Sequence, residues 1–204
     1  MKWLAVAGIL LVFATLILIL SARRRSIKGR KAQQNHFQHL AQLLGFQFVS
    51  DDYFVQLEGR WNSRPAIILP HHFEGPGSVT LIYLETGIPA VERNWIEPNL
   101  SMGRALVEWK RKSPYGYEVS GTNLPSERVL AEMKLAVYPY VAVTLPWRFS
   151  YSPLLQKSLS SWKNFAVLLV LDEGRRPSKQ QIENALNCAA RIALVCNAGV
   201  PPAL

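Results

Sequence analysis

The sequence predicts an α+β chain: an N-terminal transmembrane helix, followed by one or more antiparallel sheets packed with a few helices. Three observations carry this. The first is an uncharged apolar run from Trp3 to Ala22. The second is a succession of strand-period segments separated by turn residues. The third is a C-terminal apolar run followed by an amphipathic stretch of helical period. Strand and helix patterns mix without regular alternation, which separates this chain from a doubly wound parallel sheet.

The apolar run holds 20 residues. At roughly 1.5 Å per residue, a helix of that length covers about the 30 Å of a bilayer core. A secretion signal has a shorter apolar stretch and small residues at its cleavage site. Here the best cleavage site, Leu20-Ser21-Ala22, is spoiled by the bulk of Leu20, and Arg23, Arg24 and Arg25 follow at once. No cysteine follows that could carry a lipid. An uncleaved anchor is therefore expected over residues 1–22. Thr15 and Ser21 are its only polar residues, so it offers no ionisable path for transport.

Orientation follows from charge. Lys2 precedes the run, while Arg23, Arg24, Arg25, Lys28, Arg30 and Lys31 follow it, with no acidic residue before Asp51. Flanking Lys and Arg are retained in the cytoplasm. The N-terminus is expected outside and the C-terminal bulk in the cytoplasm, on a cell membrane such as the bacterial inner membrane. The same six residues form a basic juxtamembrane linker, residues 23–34, and a membrane-surface group that attracts anionic headgroups. The chain carries +9, which invites a nucleic-acid reading. Lys2 and those six account for seven of the 23 basic residues, leaving 16 basic against 14 acidic, a net of +2. The basic character belongs to the membrane flank, and this argues against a nucleic-acid partner.

A single α+β globular domain is expected over residues 35–198, with a division near Gly121 as the alternative and a frayed tail at 199–204. Residues 32–45 predict a short helix, because Phe37, Leu40, Ala41 and Leu44 share one face and Gly45 can end it. "FQFVSDDYFVQLEGRW" alternates with Tyr53, Val55 and Leu57 on one side. A turn at Asn62-Ser63 leads to a strand over Ala66–Leu69, and "SVTLIYLET" supplies a third, which together make an antiparallel meander. "GIPAVERNWIEPNLSMG" lacks a period and reads as a loop. "RALVEWKRK", "SPYG" and "YEVSG" read as a second hairpin. "NLPSERVLAEMKLA" predicts a helix opened by Pro125, with Val129, Leu130 and Met133 as its stripe. "YPYVAVTLPWRF", bounded by prolines, reads as a strand or an edge segment. "PLLQKSLSSW" predicts one or two helical turns.

The C-terminal third is the clearest. "NFAVLLVLDEG" reads as a buried strand. "SKQQIENALNCAARIALVC" reads as a helix with Ser178 as N-cap and a stripe from Ile182 to Cys196. Cys196 lies near the centre of that stripe and Cys188 at its edge. Eight residues apart on a helix, their Cα atoms are about 12 Å apart, and a disulfide needs less than about 7 Å. That suits a reducing cytoplasm, and equally two inert core thiols in any compartment.

The anchor, the basic flank, a helix ending "LAQLLGFQF" and the strand pair "LEGRWNSRPAIIL" resemble uncharacterised bacterial single-pass membrane-anchored α+β proteins. In those proteins a helix is followed by a hairpin with a G-x-x-x-x-R-P-like turn. Gly59, Arg64 and Pro65 are the matching positions. The strand–turn–helix from Phe165 to Val195 is similar in layout. The resemblance implies a fold and a location, and no catalytic residue.

"HHFEGPG" groups His71, His72 and Glu74, residue types that hold metals or act as acid and base. Adjacent strand positions point to opposite faces, so the two histidines do not share a metal, and no HExxH pattern is present. His36 and His39 stand three apart on a helix without an acidic neighbour, a pattern that suits a solvated face. There is no GxSxG elbow, P-loop or CxxC. Cys196, on a core stripe, offers neither the exposure nor the lowered pKa of a nucleophile, and Cys188 only slightly more. With Asp at three positions only, a carboxylate cage is not expected, and neither is a cofactor or a metal. "EWKRKSPYGY" interleaves basic and aromatic residues, in a pattern shared by nucleic-acid grips, headgroup contacts and solvated hairpins guarded by Lys.

The leading expectation is a binding or scaffold module, tethered to the cytoplasmic face of a membrane, for an unidentified protein partner. The first alternative is a membrane-tethered, hydrolase-like enzyme drawing on His71, His72, Glu74 and Cys188. The second is an anionic-lipid surface sensor using residues 23–31 with 108–117.

Overall fold

The computed structural model describes residues 15, 29–51, 54–72, 78–89, 107–113, 116–121, 138–145, 152–171 and 176–198. The expected anchor, apart from Thr15, lies outside these residues. So do Arg23, Arg24, Arg25, Lys28, Glu74, the helix expected after Pro125 and the tail. Among the described residues, no helix is long and apolar enough to cross a membrane.

The architecture is α+β. The strands are β1 (Gln47–Ser50), β2 (Val55–Trp61), β3 (Arg64–His72), β4 (Ser78–Pro89), β5 (Val107–Ser113), β6 (Gly116–Gly121), β7 (Tyr140–Thr144) and β8 (Asn164–Leu171). The helices are α1 (residues 29–44), α2 (Pro153–Leu159) and α3 (Lys179–Ala198). One eight-stranded sheet runs in the order β1-β2-β3-β4-β8-β7-β5-β6, with every neighbouring pair antiparallel.

α1 already runs at residue 29, ahead of the start expected at 32, so Arg30 and Lys31 stand on it as exposed residues. It buries Phe37, Leu40 and Ala41. Gly45, at φ +69, ends it, and the Phe46 amide donates back to the Ala41 carbonyl at 2.9 Å. That is the six-to-one bond of a Schellman cap, and the left-handed residue it needs is cheapest as glycine.

The expected long alternating segment is in fact a hairpin. Asp51 breaks it: its side-chain Oδ1 accepts from the Phe54 amide at 2.7 Å, and its own amide donates to the Phe54 carbonyl at 3.0 Å. The β2–β3 turn falls at Asn62-Ser63 as expected, with φ of 49 and 64. Two left-handed residues make a type I′ turn, whose twist matches that of the strands. Gly59 has a packing reason. A Cβ there would stand 2.6 Å from Phe46 Cγ, so the aromatic ring lies directly on the strand backbone.

Two expectations are corrected. β4 does not stop at Thr86. It continues through a bulge to Pro89, which pairs with Asn164, and the Ile88 amide donates to Thr86 Oγ1 at 3.1 Å. Of the two alternatives for the segment around Tyr140, the strand holds and the edge does not, because β7 lies between β8 and β5. Pro139 falls just outside the paired residues, where no ladder bond is lost.

β8 is the centre. It pairs with β4 on one side and β7 on the other, and both of its faces are packed, which explains its unbroken apolar run. Phe165, Val167, Leu169 and Leu171 join α1 and α3 in one buried cluster. Ala166, Leu168 and Val170 join Leu155 and Leu159 of α2 in a second. Helices thus cover both faces. Ser178 caps α3 in a reciprocal box: its Oγ accepts from the Gln181 amide at 3.2 Å and Gln181 Oε1 accepts from its amide at 2.6 Å. Trp61 Nε1 donates to Asn187 Oδ1 at 3.0 Å, which fastens the β2–β3 hairpin to α3.

Candidate functional site

Strand alternation sorts β2 onto two sides. Val55 and Leu57 are buried with α1 and α3. Gln56, Glu58 and Arg60 form the opposite row, toward α2. α2 is placed by its start: Ser152 Oγ accepts from the Leu155 amide at 3.1 Å, and Pro153 occupies the first turn. Leu155 and Leu159 anchor it to the sheet, and Ser158 is thereby aimed back at β2.

A cleft of about 240 Å³ opens between these elements. Glu58, Arg60 and Ile67 contribute to its floor, and Ser158, Ser161 and Trp162 form its wall. Glu58 Oε1 accepts from Gln56 Nε2 at 2.5 Å and from Ser158 Oγ at 2.6 Å. Gln56 Nε2 also donates to Ser158 Oγ at 2.8 Å. Ser158 Oγ lies 3.2 Å from the Leu154 carbonyl. With one hydroxyl proton, the shorter bond to the carboxylate prevails.

Electrostatics set this cleft apart. No Lys or Arg pairs with Glu58 among the described residues, although Arg60 is two residues away on the same strand face. Arg60 instead donates to the Ser63 carbonyl from Nε at 3.2 Å and from Nη2 at 2.7 Å. Gln56 is 1 % exposed, and its Oε1 has no protein partner among the described residues. Burying such an acceptor costs about 1–3 kcal/mol, so Gln56, which lies behind the cleft, adds little net stability through this network.

The histidines expected to carry chemistry are placed elsewhere. His71 and His72 close β3, opposite Val79 and Ser78. Cys188 is half-buried on α3, across the sheet from the row to which His71 belongs. The structure therefore does not bring His71 and Cys188 together, and Glu74 lies outside the described residues. Cys196 is fully buried, and that burial pushes its thiol up to about 12. His36, expected on a solvated face, is half-buried, and its Nε2 meets the Pro177 carbonyl at 2.9 Å. A nitrogen facing a carbonyl is the protonated, donating one. His39 is exposed. Among the described residues, no three His, Cys, Asp or Glu side chains are grouped to hold a metal.

Sequence reasoning did not single out Gln56, Glu58 or Ser158. The alternating segment is marked in the sequence by Tyr53, Val55 and Leu57, and Ser158 falls in a stretch that predicts only one or two helical turns. Ser158 is 100 residues from Glu58, so no local pattern links them. No family model, curated protein or solved structure matches this chain.

Proposed function

We propose that this chain is a membrane-tethered, cytoplasm-facing binding module, with the α2–β2 cleft as its binding site. One observation carries the tether: the uncharged run ends at Ala22 and the chain is already helical at residue 29, so at most residues 23–28 lie between the run and α1. Six residues reach at most about 20 Å when fully extended. A domain joined so closely to a spanning helix works at the membrane surface. Its exposed Arg30 and Lys31 then stand among the headgroups. The charge asymmetry across the run supports the cytoplasmic side.

The test is a reporter active on only one side of the membrane, fused to Leu204, with the mature N-terminus sized in parallel. A cytoplasmic reporter on an uncut chain is expected. Replacing Arg23, Arg24 and Arg25 with Gln should give a mixed orientation. An external reporter on a shortened chain overturns the reading.

A further inference from the structure

We propose that the cleft binds a free α-amino acid as its zwitterion, with the ammonium on Glu58 and the carboxylate on Arg60. This rests on the cleft being the binding site of the module, and not on the side of the membrane it faces.

Three features of the cleft point to this ligand. The first is charge. Glu58 and Arg60 are two apart on one strand face, roughly 7 Å along the backbone, yet each is turned to other partners. Glu58 spends one oxygen on Gln56 and Ser158, and its other oxygen has no protein partner among the described residues. Arg60 donates from two nitrogens to Ser63 and keeps further N–H groups of its fork. An anion and a cation side by side in one cleft, held off each other, match a ligand that carries both charges on neighbouring atoms. A simple amine would leave Arg60 as a repelling neighbour, and a simple acid would meet Glu58.

The second feature is preorganisation. Gln56, 1 % exposed, directs both bonds of its amide nitrogen at Glu58 and Ser158. The carboxylate is therefore fixed before a ligand arrives, which reduces the entropy lost on binding. The third is size. The cleft has a volume of about 240 Å³ and a mostly polar lining, with Ile67 and Trp162 almost wholly buried behind it. That suits the charged backbone end of a free amino acid, whose side chain is left toward the open mouth.

The experiment is calorimetric titration of the full chain in lipid nanodiscs with L-leucine, L-valine and L-phenylalanine, against empty nanodiscs. N-acetyl-L-leucine, which lacks the ammonium, and L-leucine methyl ester, which lacks the carboxylate, are titrated in parallel. Saturable binding of at least one free amino acid is expected, with both blocked forms weaker by about tenfold or more. Glu58→Gln keeps an oxygen for Ser158 and Gln56 while removing the charge, and should weaken binding by a similar factor. Arg60→Gln, on an exposed side chain, should do the same. Circular dichroism of both variants checks that the fold is retained. No heat with any of the three amino acids overturns the proposal. So does unchanged affinity in folded Glu58→Gln, or a methyl ester that binds as tightly as L-leucine. A chain with a cytoplasmic C-terminus that binds none of them keeps the tether and loses this ligand.

Discussion

The two faces of the sheet are buried by different means. α1 and the 20-residue α3 cover one face with an apolar cluster that includes Phe37, Leu57, Ile68, Leu186 and Ile192. The seven-residue α2 meets the other face, and beside it lies a row of Gln56, Glu58 and Arg60. The first face resembles the dry interior of any stable domain. The second keeps a carboxylate, an amide and a hydroxyl bonded to one another at the edge of a cleft. A polar network of that kind is neutral or unfavourable for folding compared with apolar packing. The contrast teaches that both faces hold a buried apolar cluster, and that the α2 face sets a bonded polar row beside its own.

The largest effect that would test this contrast is on the dry face. Phe37 is fully buried, and Phe37→Ala should destabilise the domain by about 3–5 kcal/mol, read from the urea midpoint of the full chain. A loss under about 1 kcal/mol would mean that α1 does not contribute to the core as its burial implies.

A second effect comes from pH. Cys196 sits at 0 % exposure in the same cluster, with its thiol raised from 9.0 to about 12 by desolvation. The folded state holds the neutral thiol, whereas the unfolded chain ionises it above its ordinary value. Its contribution is therefore complete below pH 9 and is lost progressively as pH rises from 9 toward 12. Denaturant midpoints should fall over that window in the native chain, and fall less in Cys196→Ala. Thiol reagents at pH 8 should reach Cys188 well before Cys196. Equal rates would contradict the burial.

The smallest effect is expected on the cleft side. Ser158→Ala removes one hydroxyl from a half-buried network, and should change stability by about 1 kcal/mol or less. A cost near that of Phe37→Ala would erase the distinction between the faces. The cleft network would then be a structural keystone.

Several elements were legible from local pattern. The stripe of Phe37, Leu40 and Ala41, the stop at Gly45, the turn at Asn62-Ser63, and the Ser178 cap all depend on residues within about one helical turn or one hairpin. So did the burial of Cys196 against the half-exposure of Cys188, since both follow from one helical period. The misread segments have a common cause. β4 past Thr86 is held by pairing with Asn164, and β7 is interior because β8 and β5 enclose it. Neither partner is near in sequence. Asp51 was the exception: a local turn whose side-chain bond to Phe54 was hidden in an alternating pattern.

The sequence by itself determined α1, α2, α3, the β2–β3 turn and β8, the apolar side of α1 and of α3, and the uncharged 20-residue run with its basic flank. These depend on periodicity and composition, which are properties of neighbours along the chain. Only the tertiary structure decided that β8 enters between β4 and β7, and that α2 then lies on the face opposite α3. That placement brings Ser158 to Glu58 across 100 residues. Strand pairing joins backbone groups that every segment carries alike, so the choice of partner is made by the packing of the whole sheet and not by any short stretch of it.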